Sequence, residues 1–347
     1  MKMLLNEYKA EFHTRVLDLL WRQWVSLGVT GYGKVWTQSI IDPDALLLVS
    51  CTVARHDPRL FDAMMDWMGL NGSWMNVNRI NRMLMGVPYA GGAVFAAVAA
   101  SIRDSGNTLK WSRSASVREE KQKTGEPLFY LADGSPLPVA GEPDPVFKRH
   151  GFLRDRYCAR EVASAFRPEL PANLLMRLRA FLGVNARCEI LAYLLLNGRG
   201  SPRAVARASG YYPATVNKAL SEMGASGYLV SRVEGRHRFY FMNTEALGAA
   251  ILEGTALGWV NWIPLLGAFE QIWMFLHEPG RERQSPLAQA SDLRRLLNAS
   301  IMKKFSDSGL AEPMGDHTRY AGESLIPFFI SQTRQILDRC FSPRSAG

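Results

Sequence analysis

Between Leu174 and Asn243 a helical pattern, a turn, two further short helical patterns and a β-hairpin pattern succeed one another. The run Arg187 to Leu196 places Ile190, Leu191, Leu194 and Leu195 at the three/four spacing of a helix with one buried face. Asn197-Gly198-Arg-Gly200 breaks it, and Ser201-Pro202 supplies an N-cap with proline at the first helical position. A short helix from Arg203 to Ala208 buries Val205 and Ala206 and stops at Ser209-Gly210, where glycine takes positive φ. After Tyr211-Tyr212-Pro213 a third helix, Ala214 to Met223, turns Val216, Leu220 and Met223 inward. Thr215, Asn217, Lys218, Ser221 and Glu222 then face outward. Tyr228 to Glu234 and Arg238 to Met242 are β-prone runs around Gly235-Arg236-His237, a hairpin with a basic tip.

Charge concentrates in the same place. From Pro171 to Asn243 there are ten Lys/Arg (Arg177, Arg179, Arg187, Arg199, Arg203, Arg207, Lys218, Arg232, Arg236, Arg238) against three acids, Glu189, Glu222 and Glu234. That is a net +7 in a chain whose total is +9, so the rest is almost neutral. A basic segment that coincides with an outward polar helix face points to a polyanion as partner.

Val205-Ala-Arg-Ala-Ser-Gly-Tyr-Tyr-Pro-Ala-Thr-Val-Asn-Lys-Ala-Leu220, with Gly227-Tyr-Leu-Val and Glu234-Gly-Arg-His-Arg-Phe-Tyr-Phe241, resembles the winged helix-turn-helix domains of the ArsR and MarR transcription regulators. The likeness covers about seventy residues and identifies a module, not the whole chain. It implies that the helix after Pro213 enters a DNA major groove and that the hairpin arginines reach the backbone or minor groove. The expected DNA-binding residues are Arg203, Arg207, Tyr212, Thr215, Asn217, Lys218, Ser221, Arg232, Arg236, His237 and Arg238. The paired-cysteine metal-sensor motif of some ArsR proteins is absent, so the resemblance does not imply metal sensing.

Composition sets bounds on the rest. A length of 347 residues suggests two or three domains, and nine Trp and sixteen Phe support substantial cores. Cys51, Cys158, Cys188 and Cys340 are far apart, with no CxxC, so a reduced cytosol is expected and structural zinc is not. The six histidines are scattered, and His13, His56 and His277 read as packed or surface residues; no metal or cofactor is expected. The amino terminus has no signal-peptide core. Ala256 to Leu276 approaches the ~20 residues of a membrane span. It carries Asn261, Pro264, Glu270 and Gln271, and reads instead as a buried core or dimerisation helix. Trp259, Trp262, Leu266, Phe269 and Trp273 form its apolar stripe.

The pattern elsewhere is mostly helical: 4–27, 44–53 (helix or buried strand), 57–68, 78–85, 90–102, then 244–276 and roughly 286–308 and 323–341 after the hairpin. The expected organisation is mainly α: a helical N-terminal domain, 1–105; a turn-rich connector, 106–170, with a hairpin about Asp133-Gly134; the winged helix-turn-helix, 171–243; and a helical C-terminal region, 244–347, for dimerisation. Arg113, Arg118, Lys121 and Lys123 in the connector are candidates for phosphate contacts, though a solvated loop is the preferred reading. The alternative function is enzymatic. Gly31-Tyr-Gly33, Asp42-Pro43-Asp44 and Ala45 to Val49 suggest a nucleotidyltransferase-like site in which two acids hold Mg²⁺. Lys34 where serine is expected and Pro43 between the acids count against it, and Asp42-Pro43 reads better as a helix N-cap. A winged-helix protein-interaction module is the other alternative. The resulting expectation is a cytoplasmic, homodimeric bacterial regulator that binds double-stranded DNA, with an unknown effector or partner at the N-terminal region and no membrane contact.

Overall fold

The computed structural model describes residues 5–31, 33–86, 89–106, 109–116, 125–160, 163–242, 257–310 and 315–342. The chain is mainly helical with a small sheet. In α1 (Leu5–Leu27) Tyr8, Phe12, Val16, Leu19, Leu20, Trp24 and Leu27 recur at three or four residues and are buried. Helix α2 (Pro43–Val53) is buried throughout; Asp42 caps it, accepting from the amides of Asp44 and Ala45, with Pro43 at its first position. Asp57 and Pro58 repeat that device at α3 (Pro58–Asn71). Helices α4 (Val77–Gly86) and α5 (Gly92–Asp104) complete the N-terminal group. The N-cap reading of Asp42-Pro43-Asp44 thus matches the observed geometry.

The connector is packed. Short helices α6 (Ser112–Ser116) and α7 (Pro145–Arg149) and a parallel pair, β1 (Glu126–Pro127) with β2 (Phe152–Leu153), bring Trp111, Phe129, Phe147 and Phe152 into the core. The turn at Asp133-Gly134 is present as a tight loop: the Leu131 amide donates to Ser135 and that of Leu137 to Phe129. Arg118, Lys121 and Lys123 lie outside the described residues.

Next come α8 (Leu174–Leu182), α9 (Ala186–Asn197), β3 (Arg199–Gly200), α10 (Pro202–Ser209), α11 (Pro213–Ala225), β4 (Leu229–Glu234) and β5 (His237–Met242). The sheet order is β3-β5-β4, antiparallel throughout, with Leu229 opposite Met242 and Glu234 opposite His237. This unit has its own core, built from Leu174, Leu178, Ile190, Leu194, Val205, Val216, Leu220, Leu229, Tyr240 and neighbours.

The C-terminal helices return to the N-terminal group. Helix α12 (Trp262–Leu276) packs on α1 and α2, and its Trp262, Leu266, Phe269 and Trp273 are all buried. Helices α13 (Pro286–Leu296), α14 (Met302–Asp307) and α15 (Leu325–Phe341) close around it, a π turn at Leu297–Ile301 joining the first two. N- and C-terminal helices therefore share one core, not two. Of the two readings of the α12 stripe, the buried-core one describes Trp262, Leu266, Phe269 and Trp273, which the chain covers with its own helices. Residues 243–256, read as the start of the C-terminal region, lie outside the described residues. Among the described residues no helix is long and apolar enough to cross a membrane.

Candidate nucleic-acid interface

The local signals of the α10–α11 turn operate as the sequence suggests. Ser201 Oγ accepts from the Ala204 amide, and Gly210 ends α10 at φ +74°. A Cβ there would stand 2.8 Å from Ile263 Cδ1, so the position needs glycine for conformation and for space. Pro213 then opens α11, whose Val216, Ala219 and Leu220 lock into the core of the unit. Thr215, Asn217, Lys218 and Ser221 are left exposed on the opposite face of a helix that cannot rotate without exposing Val216 and Leu220.

Arg203, Arg207, Tyr212, Thr215, Asn217, Lys218, Ser221, Arg232, Arg236, His237 and Arg238 are all exposed. They form three patches: the α11 face with Tyr212, the outer side of α10, and the hairpin. Part of their charge is countered locally. Glu222 lies 2.5 Å from Arg187 and 3.9 Å from Lys218, and Arg207 lies 3.5 Å from Asp307. Among the described residues Arg203, Arg232, Arg236 and Arg238 form no ion pair, so the hairpin keeps its field.

One geometric expectation needs correction. The turn is the two-residue Gly235-Arg236, with Gly235 at φ +61° and His237 already paired with Glu234. His237, read as part of the turn, is therefore the first residue of the strand, which leaves Arg236 in the turn and Arg238 on the strand opposite Val233. On the sheet, Arg199 lies over the Phe239 ring at 5.1 Å and Arg232 over Phe241 at 5.5 Å.

Two residues in or beside this surface were not singled out from the sequence. Arg199 is one; its pairing with Glu234 at 3.3 Å ties β3 to the far strand. Arg82 of α4 is the other. Its guanidinium lies 3.6 Å above the Tyr212 ring, at the start of α11, and its Nη1 is buried without a hydrogen-bond partner among the described residues. Only the tertiary fold brings it there.

Arg179 moves the opposite way, from expected surface charge to interior. Its Nη2 lies 2.5 Å from Asp44 and 2.6 Å from Glu189, while Arg79 binds Asp42 at 2.5 Å, Asp44 at 2.8 Å and the Ser209 carbonyl at 2.7 Å. Asn76 donates to the Tyr211 hydroxyl, which donates to Glu189. Burial pushes the Asp44 carboxyl up, but Arg179 and Arg79 outweigh it and hold the group below its usual range. This network joins α2 and α4 of the large body to α8, α9 and α10. It also engages Asp42 and Asp44, the acids of the enzymatic alternative, with guanidinium groups. Tyr32 of the glycine turn in that alternative lies outside the described residues.

No protein-family model, curated protein or solved structure shows significant similarity to this chain.

Proposed function

We propose that residues 171–242 are a winged helix-turn-helix that binds double-stranded DNA, with α11 in the major groove and the β4–β5 hairpin on the backbone or minor groove. The observation that carries this reading is the two-sidedness of α11. One face is immobilised by Val216, Ala219 and Leu220, and the other presents Thr215, Asn217, Lys218 and Ser221, with Glu222 engaged by Arg187 and Lys218, beside an uncompensated hairpin tip. A rigid helix with Asn, Thr, Ser and Lys outward can reach base edges and phosphates. Arg82, stacked on Tyr212 at the α11 N-terminus, would meet a phosphate beside first-turn amides that no side chain caps. Each chain would supply one reading helix, and transcription regulation would result from where that helix binds.

Selection of the full-length protein on random duplexes, followed by fluorescence anisotropy across a salt series, tests the proposal. A selected sequence should bind tighter than bulk DNA, with log K falling linearly in log salt. Asn217→Ala should lose ~1–3 kcal/mol on the selected duplex and less on random DNA. Arg236→Ala with Arg238→Ala should weaken binding on every sequence and flatten the salt slope by up to about two phosphate equivalents. Absence of duplex binding at low salt, or binding that ignores both sets of substitutions, would overturn it.

A further inference from the structure

Three histidines far apart in sequence meet where α1, the end of α2 and the end of α12 converge. One ring nitrogen from each of His13, His56 and His277 lies within 4.8 Å of the other two. Ring centroids are 5.6 Å apart for His13–His56, 5.5 Å for His13–His277 and 4.9 Å for His56–His277. Trp273 forms the floor, stacked on His277 at 4.4 Å and within 4.7 Å of His13, and Tyr130 stacks on His56. The three rings are held by packing on separate elements, α1, the turn after α2 and the residue that caps α12, so their convergence is a property of the core.

The hydrogen bonds sort the nitrogens. His277 Nδ1 donates to the Trp273 carbonyl at 2.9 Å, which fixes its proton there and leaves Nε2 with a lone pair. That arrangement, one imidazole nitrogen donating to a backbone carbonyl while the other is a bare donor atom, is the usual support of a metal-binding histidine. His13 Nδ1 stands 3.3 Å from His277 Nε2. Two imidazole nitrogens on one tetrahedral zinc, each about 2.0–2.1 Å from it, sit about 3.3–3.4 Å apart. His56 Nδ1 is buried with no hydrogen-bond partner among the described residues, a costly state for a polar atom. Burial also keeps the rings neutral, lowering His56 to about 3 and His277 to about 4.

We propose that His13, His56 and His277 form a three-histidine site for a first-row divalent ion of the zinc class. Imidazole nitrogen suits this class, and three protein ligands leave a fourth position for a small molecule. His13 and His277 line a groove of about 800 Å³ that also holds Lys9, Asp133, Glu278 and Arg283, so the fourth position opens onto solvent. Charge around the site selects what enters. Arg55 is engaged by Glu126 and the carbonyls of Leu128 and Pro127, and Asp57 by Trp21 and the α3 amides. Lys9 and Arg283 face the groove with Asp133, Glu278 and Glu282, of which Glu278 is engaged by Arg281 and Glu282 by Arg283, and with no carboxylate among the three ligands the bound dication keeps its full charge. Hydroxide or a small anion is the fourth ligand that this field favours. On binding, His13 changes tautomer, its single ring proton moving through solvent from Nδ1 to Nε2, so that the ring stays neutral and the Nδ1 lone pair replaces the hydrogen bond to His277.

The test uses the full chain, stripped with a chelator, and the bare ions Zn²⁺ and Co²⁺. Equilibrium dialysis should give one ion per chain, and Co²⁺ should develop the intense visible bands of four-coordinate nitrogen ligation. His13→Gln, His56→Gln and His277→Gln should each lower affinity by roughly tenfold or more, and His317→Gln, outside the cluster and hydrogen-bonded to Asn298, should leave it unchanged. Zinc should raise the Tm of the wild type and not that of the variants. Should a variant fail to fold, the wild-type cobalt spectrum still decides. Thiolate charge-transfer bands, six-coordinate weak bands or no binding at all would overturn the site, as would variants that fold and keep their affinity.

Discussion

The large helical body and the 174–242 unit treat polar and apolar groups differently. The body encloses Trp24, Trp36, Trp67, Trp111, Trp262 and Trp273, and also buries Glu270, Arg281 and the Asp42–Arg79 pair. The smaller unit closes on mostly aliphatic side chains with Tyr240, buries Arg179 and Glu189 at its border with the body, and leaves α10, α11 and the hairpin tip with exposed polar groups. The arginines make the contrast concrete. Arg179 and Arg236 count equally in the +7 of the segment, yet Arg179 is fully buried between two carboxylates and Arg236 stands at the tip of a turn. The charge of a segment is thus not the charge of its surface. The surface that the unit offers a partner is set by the residues its border with the body does not consume.

The largest expected effect tests whether the aromatic stripe belongs inside. Trp262→Glu places a carboxylate at a site 1% exposed, where the indole donates to the Ile40 carbonyl. An unpaired buried charge there should cost more than ~4 kcal/mol and unfold the body, seen as loss of the far-ultraviolet dichroism. A folded, soluble variant of lower mass by light scattering would instead make the stripe a subunit face and break the comparison.

At the border between the two regions the expected loss is similar or smaller. Arg179→Leu leaves Asp44 and Glu189 facing each other without their shared cation, and should cost about 3–5 kcal/mol in urea unfolding. Adding Glu189→Leu should recover part of that loss. If Arg179→Leu were neutral, the network would not be holding the unit to the body.

The body's buried acids sharpen the contrast through pH. Burial raises the Glu270 carboxyl above the usual range, only partly opposed by hydrogen bonds from Thr52 and Gly91. A raised carboxyl contributes stability that is complete below its unfolded pKa and lost as pH rises through the folded value. Glu270→Gln should therefore flatten the fall in stability above the ordinary glutamate range. Asp44 has the opposite sign: held low by Arg179 and Arg79 against its burial, it stabilises above its unfolded pKa and loses that contribution as pH falls. A parallel shift of Glu270→Gln and Asp44→Asn in Tm against pH would refute this assignment.

The smallest effects on stability belong to the exposed surface. Asn217→Ala, Arg236→Ala and Arg238→Ala remove side chains that support nothing in the core, and each should stay within about 0.5 kcal/mol of wild type in the same urea assay. Larger losses would mean that α11 or the hairpin is structurally engaged and that reduced DNA binding reports misfolding.

Local rules explain which elements are legible in the sequence. The Ser201-Pro202 start, the Gly210 stop and the Pro213 restart place α10 and α11 because capping and positive φ are settled within four or five residues. The same holds for Asp42-Pro43 and Asp57-Pro58. Periodicity orients α11 correctly, since a buried Val216 and Leu220 leave Asn217 and Ser221 on the other side. The hairpin is legible to within one residue, His237, which reads as part of the turn and is found as the first residue of the second strand, paired with Glu234.

Contacts between distant segments are not legible, because local pattern carries no information about them. That α12 joins the N-terminal helices depends on Trp36, Trp262, Phe12 and Phe269 finding one another. Arg179 looks like any surface arginine until Asp44, 135 residues away, is placed beside it. Arg82 gains meaning only from Tyr212, and the three histidines, on α1, in the turn after α2 and just past α12, only from the point where those elements meet. By itself the sequence determined where helices begin, end and turn their apolar faces, since those choices are made by neighbours along the chain. The tertiary structure alone decided which charges are buried and which side chains converge, since burial and proximity arise when whole elements pack.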